Sequence, residues 1–246
     1  MLDFKRITKK IIWIKEKIKQ KKEFKKEFNI LFKSNTRNFE LVFKNSRPYL
    51  NDKTSTTNFD AHYIYHPAWA ARIIKKNNPT LHVDISSTLH FCTQLSAFIP
   101  VEFYDYRPAI LNLDNLKSLK ADLTNLFFKS NSIESLSCMH TIEHVGLGRY
   151  GDPIDSEGDI KAINEIKRVV KVGGSLLFVV PVGRPTIVFN AHRIYCAADI
   201  LTLFDGFTLN NFSLVKDDNQ FIQNASIFQA DNETYGCGCF WFVKDN

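Results

Sequence analysis

The sequence predicts an α/β fold: a mostly parallel sheet with an antiparallel edge, preceded by an amphipathic basic helix. Three observations predict it. From residue 61 onward, short apolar runs alternate with segments of helical period, as in a parallel sheet with crossovers. Two further strand-like runs, 207–215 and 235–243, follow the last helical segment, which places antiparallel strands at one edge. The charge is also divided. Residues 1–33 hold 12 Lys/Arg against 4 Asp/Glu, and residues 34–246 hold 20 against 22. The net +6 therefore belongs to the N-terminal segment.

Residues 1–33 read as the basic helix. Phe4, Ile7, Ile11, Ile14 and Ile18 recur at spacings of three and four, with lysines between them. Lys21 and Lys25 break the stripe, which resumes out of phase at Phe24, Phe28 and Leu31. Such a stripe packs on the body or on a second copy, or lies on an anionic membrane surface with its lysines at the flanks. Residues 34–60 are polar, with Pro48 and a Ser/Thr run at 54–57, and read as a linker or irregular lead-in. Residues 61–246 form the α/β domain.

Within that domain His62–Lys76 is helical, stopped by Asn77-Asn78-Pro79. Leu81–Ser86 is a buried strand, Leu89–Phe98 a helix and Val101–Tyr106 a second strand. Leu119–Leu123 reads as a short third strand and Ile133–His140 as a fourth. Gly158–Val170 is a helix with an acidic first turn, capped by Lys171–Gly174, where glycine suits a left-handed residue. Ser175–Val182 is an apolar strand and Ala197–Phe204 a short helix.

Composition excludes several functions. There are ten glycines and none precedes Gly146, so neither a P-loop nor a G-x-G-x-x-G turn exists in the first 145 residues. The near-neutral body lacks the clustered cations of a nucleic-acid groove. The longest early apolar run is Ile11–Ile14, too short for a signal-peptide core or a membrane span. Five scattered cysteines fit reduced thiols. The expected location is cytoplasmic, or peripheral at the inner face of the membrane.

An open α/β sheet binds its ligand beyond the carboxyl ends of its strands. Carboxylates punctuate those ends: Asp84, Asp105, Asp122 and Glu143 follow in order. A carboxylate ending a second strand suits two vicinal ribose hydroxyls. His140, His144 and His192 are candidate general bases, since imidazole titrates near neutrality. Arg149 and Arg193 suit a phosphate or carboxylate held bidentately, although Arg149 also has Asp152 within its own loop. Asp155, Glu157 and Asp159 read as helix N-terminal acids rather than metal ligands. Cys237 and Cys239 alternate on a strand and read as core, so no metal is expected.

Two stretches tie these residues to a family. Leu136–Val145 ends a strand in Thr141-Ile142-Glu143-His144, and Ile163–Leu177 reads as helix, glycine turn and strand. At this spacing they resemble the class I S-adenosylmethionine-dependent methyltransferases, over about residues 81–182. The segments Gly146–Asp155, Pro181-Val182-Gly183 and Phe189–Tyr195 resemble, more tightly, a methyltransferase-like family of unknown function linked to bacterial surface-polysaccharide gene clusters. That resemblance covers roughly residues 60–245.

The first resemblance implies a Rossmann-like fold and S-adenosylmethionine as cofactor. It would be held by Asp84, Ser86, Asp105, Asp122 and His140. His144, His192, Arg193 and Arg149 would act on the acceptor. Together the resemblances imply methyl transfer to an oxygen of a saccharide or sugar-nucleotide intermediate of surface-polysaccharide synthesis. This sequence departs from the pattern at one turn. Ser86-Ser87-Thr88-Leu89-His90 follows the first strand without the expected glycine. Serine is small enough for close approach, but Leu89 and His90 are not, so a remodelled pocket is expected. The competing readings are a catalytically silent interaction protein at a polysaccharide assembly, and another sugar-nucleotide-modifying enzyme.

Overall fold

The computed structural model describes residues 2–246, with side chains from Arg6 onward. The chain divides into two compact units, residues 1–58 and 59–246.

In the first unit, helix α1 (Leu2–Ser34) runs unbroken through the phase change of its apolar stripe. Residues 35–58 return along it, irregular except for a 3-10 turn at Phe43–Asn45. The Phe43 ring meets Phe28 edge-on at 4.9 Å and lies 6.2 Å from Phe24. Lys17 Nζ donates to Asn51 Oδ1 at 2.6 Å, and Lys53 pairs with Glu27 and Glu23. The return segment thus covers Phe24 and Phe28 of the second half of the stripe and leaves Leu31 exposed. Ile7, Ile11, Ile14 and Ile18 are exposed, and Phe4 lies outside the described side chains. Among the described residues, no helix is long and apolar enough to cross a membrane.

The second unit is built on one eight-stranded sheet. Its strands are β1 (His82–Ile85), β2 (Val101–Asp105), β3 (Leu116–Lys120), β4 (Ile133–Met139), β5 (Val170–Val182), β8 (Phe207–Val215), β9 (Phe221–Ile222) and β10 (Gly236–Lys244). A hairpin of β6 (Thr186–Val188) and β7 (His192–Ile194) stands apart. The sheet order is β3-β2-β1-β4-β5-β10-β8-β9. The first five strands are parallel, and β10 runs antiparallel to both β5 and β8. This is the Rossmann-like α/β arrangement expected, with its antiparallel edge.

Helices α2 (Ala61–Asn77) and α3 (Leu89–Leu95) cover one face, and α4 (Gly158–Val169) and α5 (Ala197–Leu203) the other. Strand alternation assigns the two cores. Phe178 and Val180 of β5 join Ile163, Ile166 and Phe204 on one face. Leu177 and Val179 join Trp69, Ile73 and Phe91 on the other. Cys237 and Cys239 are buried in this second core.

Two expectations about element ends are corrected. The third strand is Leu116–Lys120, so Asp122 sits in the turn beyond it. Helix α4 is not capped by Gly173 or Gly174. It ends at Val169 with Val170 already extended. Gly173, at φ +71°, instead occupies a register shift in the β4–β5 pairing. The glycine signal was a real left-handed residue, but it marks a bulge rather than a helix cap.

Candidate active site

A cleft of about 890 Å³ opens at the carboxyl ends of β1, β2 and β4. Its lining falls into two sides, one made by strand ends and one by loops.

On the strand side, Ser86, Ser87 and Thr88 form the turn after β1. Ser86 takes a left-handed conformation, φ +57°, and its N–H and Oγ both donate to the Tyr104 carbonyl, at 2.7 and 3.2 Å. Serine therefore adopts the backbone shape for which glycine was expected. Thr88 caps α3 by accepting the Phe91 N–H at 3.3 Å. Leu89 starts that helix and packs on the second core, while His90 is exposed. Neither lines the cleft, so the expected obstruction by these two side chains is corrected.

Asp84 also departs from expectation: it does not line the cleft. It is fully buried, accepts from the Ser87 N–H at 3.0 Å and from Ser137 Oγ, and so shapes the turn from beneath. Burial pushes its pKa up to about 6, against the lowering effect of those hydrogen bonds. His82 lies behind it, with Nδ1 at 2.8 Å from Ser135 Oγ and Nε2 at 2.8 Å from Ser137 Oγ. Burial pulls the His82 imidazole down to about 3. Asp105 and Asp122 do line the cleft. Asp105 Oδ1 accepts the Arg107 N–H at 2.6 Å. Asp122 Oδ1 accepts from the N–H and hydroxyl of Thr124 at 2.9 and 2.7 Å. Ala121 and Leu123 give this end an apolar wall.

The loop side gathers Tyr63, His140, Glu143, His144, Arg149, Tyr150, His192 and Tyr235. His140, directly after β4, takes a left-handed conformation, φ +54°, and its buried Nδ1 lies 2.8 Å from Glu143 Oε1. His140 lines the same cleft as Ser86, Asp105 and Asp122, next to Glu143. His144 Nδ1 lies 2.5 Å from the Ala191 carbonyl, which requires the proton on Nδ1 and leaves Nε2 as the acceptor. Burial holds both His144 and His192 below the usual imidazole range. Both are then neutral near pH 7 and able to accept a proton. Tyr63 is pushed up to about 12, by burial first and then by Glu143.

Arg149 Nη1 donates to the Ala191 carbonyl at 3.2 Å and does not pair with Asp152. That carboxylate is used within the loop, accepting the Gly146, Gly148 and Tyr150 N–H groups at 2.7, 3.4 and 3.2 Å. Arg149 and Arg107 both lie over the Tyr150 ring, at 5.1 and 4.7 Å from its centroid. Gly146 makes this loop possible. At φ +79°, a Cβ there would stand 2.1 Å from the Asp155 carbonyl oxygen.

Arg193, expected to hold the acceptor, is a correction. It is buried and does not line the cleft. Its Nη1 donates to the Val145 carbonyl at 2.6 Å, Nη2 reaches the Asp155 and Ser156 carbonyls at 3.5 and 3.4 Å, and Nε lies 3.4 Å from Asp159 Oδ2. Asp159 also accepts from Tyr195 Oη at 2.9 Å. It lies in the first turn of α4, as the sequence suggests, and there is also part of a buried ion pair. Together these groups pin the 146–158 loop to β7.

Sequence reasoning missed Tyr63, Arg107, Tyr150 and Tyr235. Tyr235 precedes β10, whose antiparallel course brings its start beside the carboxyl ends of the parallel strands. The antiparallel edge was read, so this position was within reach. Tyr63 comes from the first turn of α2, and only the His62/His66 spacing of four residues hinted that this face meets a site.

A family profile described as a Caenorhabditis protein of unknown function, DUF268, matches residues 91–235, more than half of the chain. The chain belongs to this family. A search of curated proteins finds no match. Among solved structures, the N-methyltransferase NodS of Bradyrhizobium japonicum, in complex with S-adenosyl-L-homocysteine, is 13% identical. The match covers 81% of this chain and 92% of that one, with a TM-score of 0.53. A Bacillus halodurans protein provisionally described as a methyltransferase is also 13% identical, over 73% and 99% of the two chains, with a TM-score of 0.53. The 4+2 cyclase SpnF matches over 73% and 81% at 13% identity, with a TM-score of 0.50. At these identities the likeness is one of fold: this family member has the class I methyltransferase-like fold.

Proposed function

We propose that this protein transfers a methyl group from S-adenosylmethionine to an oxygen of a saccharide or sugar-nucleotide intermediate of surface-polysaccharide synthesis. The observation that supports it is the two-sided cleft. One side offers what a nucleoside needs, and the other offers bases and cations for a hydroxylated, anionic acceptor. The donor set fits the cofactor. Ser86 has the left-handed turn conformation that close approach favours, Asp105 lines the cleft and suits vicinal ribose hydroxyls, and Asp122 with Ala121 and Leu123 suits an adenine. When bound, the cofactor supplies an electrophilic methyl group on sulfur.

The chain's own residues then position the acceptor and move its proton. His144, neutral and with Nε2 unprotonated, accepts the hydroxyl proton as the oxygen attacks. His192 is the second base within the cleft. Arg149, with Arg107 across the Tyr150 ring, holds the acceptor's phosphate or carboxylate. Positioning is the larger part of catalysis in such an in-line displacement.

The test is S-adenosylhomocysteine release with nucleotide sugars and phosphorylated saccharides as acceptors. Release should depend on an anionic, hydroxylated acceptor. Release with amines alone would contradict the acceptor class. Cofactor binding without turnover on any acceptor would favour the silent interaction protein. That the class I-like fold also serves a cyclase in SpnF keeps another sugar-nucleotide modification as the second reading.

We place the protein in the cytoplasm, peripheral at the inner face of the membrane through residues 1–33. The exposed Ile7, Ile11, Ile14 and Ile18 between lysines support this. Self-association through the same stripe is the alternative. The full chain should sediment with vesicles of anionic lipid and not with neutral ones. Equal sedimentation with both, or concentration-dependent dimers without vesicle binding, would contradict the membrane role.

A further inference from the structure

We propose that His62, His140 and Cys237 form a transition-metal site of the zinc class at the edge of the cleft. One ring nitrogen of each histidine and the Cys237 Sγ all lie within 4.8 Å of one another. The three come from separate parts of the fold: His62 from the first turn of α2, His140 from the residue after β4 and Cys237 from β10. Their meeting is a product of the fold and not of a local turn.

The state of His140 points to a ligand. Its ring is more than nine-tenths buried, yet Nε2 has no hydrogen-bond partner. A buried polar atom left unsatisfied is costly and needs an explanation. The other nitrogen, Nδ1, faces Glu143 Oε1 at 2.8 Å. A histidine that gives one N–H to a carboxylate presents a basic lone pair on the other nitrogen, the arrangement metal-bound histidines use. The left-handed backbone at His140 supports the same reading, because the chain accepts that conformation to turn this ring inward. The His62 ring is near-parallel to the rings of His140 and Tyr235, at centroid distances of 5.5 and 5.3 Å, and these contacts keep it next to His140.

Two imidazoles and one thiolate are a borderline-soft set, suited to zinc and its tetrahedral substitutes rather than to magnesium or calcium. Binding requires the ligand atoms to draw together by about 1 Å, to the spacing of a tetrahedral centre. Three protein ligands leave a fourth position open, the arrangement of a catalytic rather than a structural site. His140 lines the cleft, so that position borders it. Cys239 Sγ lies 3.9 Å from Cys237 Sγ and serves as the internal control. The proposal does not depend on the methyl-transfer reading.

The test uses Co²⁺ alone on the full chain, stripped with chelator and kept reduced. One equivalent should be taken up, with a thiolate-to-cobalt charge-transfer band in the near ultraviolet. Cys237→Ser should lose that band and Cys239→Ser should keep it. Because Cys237 is buried, Glu143→Gln provides a second arm that leaves all three ligands in place. It should retain the band while weakening cobalt affinity about 10- to 100-fold. No saturable uptake by the native chain, an equally intense band in a folded Cys237→Ser, or unchanged affinity in Glu143→Gln would each overturn the proposal.

Discussion

The two sides of the cleft are built differently. The strand side rests on the buried sheet: the Ser86–Thr88 turn is held from beneath by Asp84, Ser137 and His82. The loop side lies beyond the ends of β4 and β5, where the chain leaves the sheet. Its shape depends on Arg193 and Asp159, which tie the Val145–Ser156 backbone to the β7 hairpin. A cofactor common to many reactions suits the rigid side, and an acceptor specific to one reaction suits the loop side. Buried residues of one side should therefore alter the fold, and lining residues of the other the chemistry.

The largest expected effect is on turnover. His144→Gln should lower kcat by about 10²- to 10⁴-fold, the usual contribution of a general base, with cofactor affinity unchanged in a binding titration. An equal loss of cofactor affinity would mean that the two sides are not separable. The pH–rate profile sharpens the same point. The His144 pKa is depressed, so the active neutral form persists as pH falls past the usual imidazole range, and activity should drop only below about 6.5. A fall already at pH 7 or above would remove His144 as the base.

Arg193→Ala should come next. It strips three carbonyls of their donor and leaves Asp159 buried without a cation, so a loss of about 3 kcal/mol is expected in urea unfolding. Lysine should not rescue it, because one ammonium cannot serve contacts on both sides of the loop. If Arg193→Ala keeps full stability and loses only acceptor binding, the residue contacts substrate after all.

The polar stack beneath the strand side has its own signature. The folded-state pKa of His82 is about 3, below the unfolded value near 6.5. Between those values the unfolded chain binds the extra proton, so stability falls as pH falls through this window. From pH 7 to 5 this costs about 2 kcal/mol. Asp84, raised to about 6, gains a proton in the folded state over the same range and offsets part of it. His82→Asn should therefore lose less stability than the native chain between pH 7 and 5. Parallel denaturation curves would refute the assignment. The smallest effect is at the rim: Arg149→Ala should raise the acceptor KM about tenfold, as loss of one exposed charged hydrogen bond does, leaving kcat and folding unchanged.

The strand side was legible in the sequence because strand ends are legible. Apolar runs with a carboxylate at the end located the β1 turn, Asp105 and, within a few residues, Asp122. Two errors there have the same cause: a one-dimensional pattern does not show which way a strand-end side chain faces. Asp84 looked like a lining residue and lies inside. Leu89 and His90 looked obstructive, but the helix that starts there carries them away from the cleft. The loop side was legible only in part. His144, Arg149 and His192 were found because they are chemically distinctive and follow strands. Tyr63 comes from the first turn of α2 and Tyr235 from the residue before β10, and no local pattern joins them. Arg193 was misread because an arginine beside a site is, by residue type alone, as well suited to pinning carbonyls as to holding a phosphate.

The central claim is that the strand side binds S-adenosylmethionine although it has no glycine turn. Calorimetric titration with S-adenosylhomocysteine tests it most directly, in the native chain and in Asp105→Ala. The account predicts saturable binding by the native chain and an affinity about 10- to 100-fold weaker in the variant, as expected for loss of a charged acceptor to ribose hydroxyls. No heat at millimolar ligand, or equal affinity in the two proteins, would contradict it.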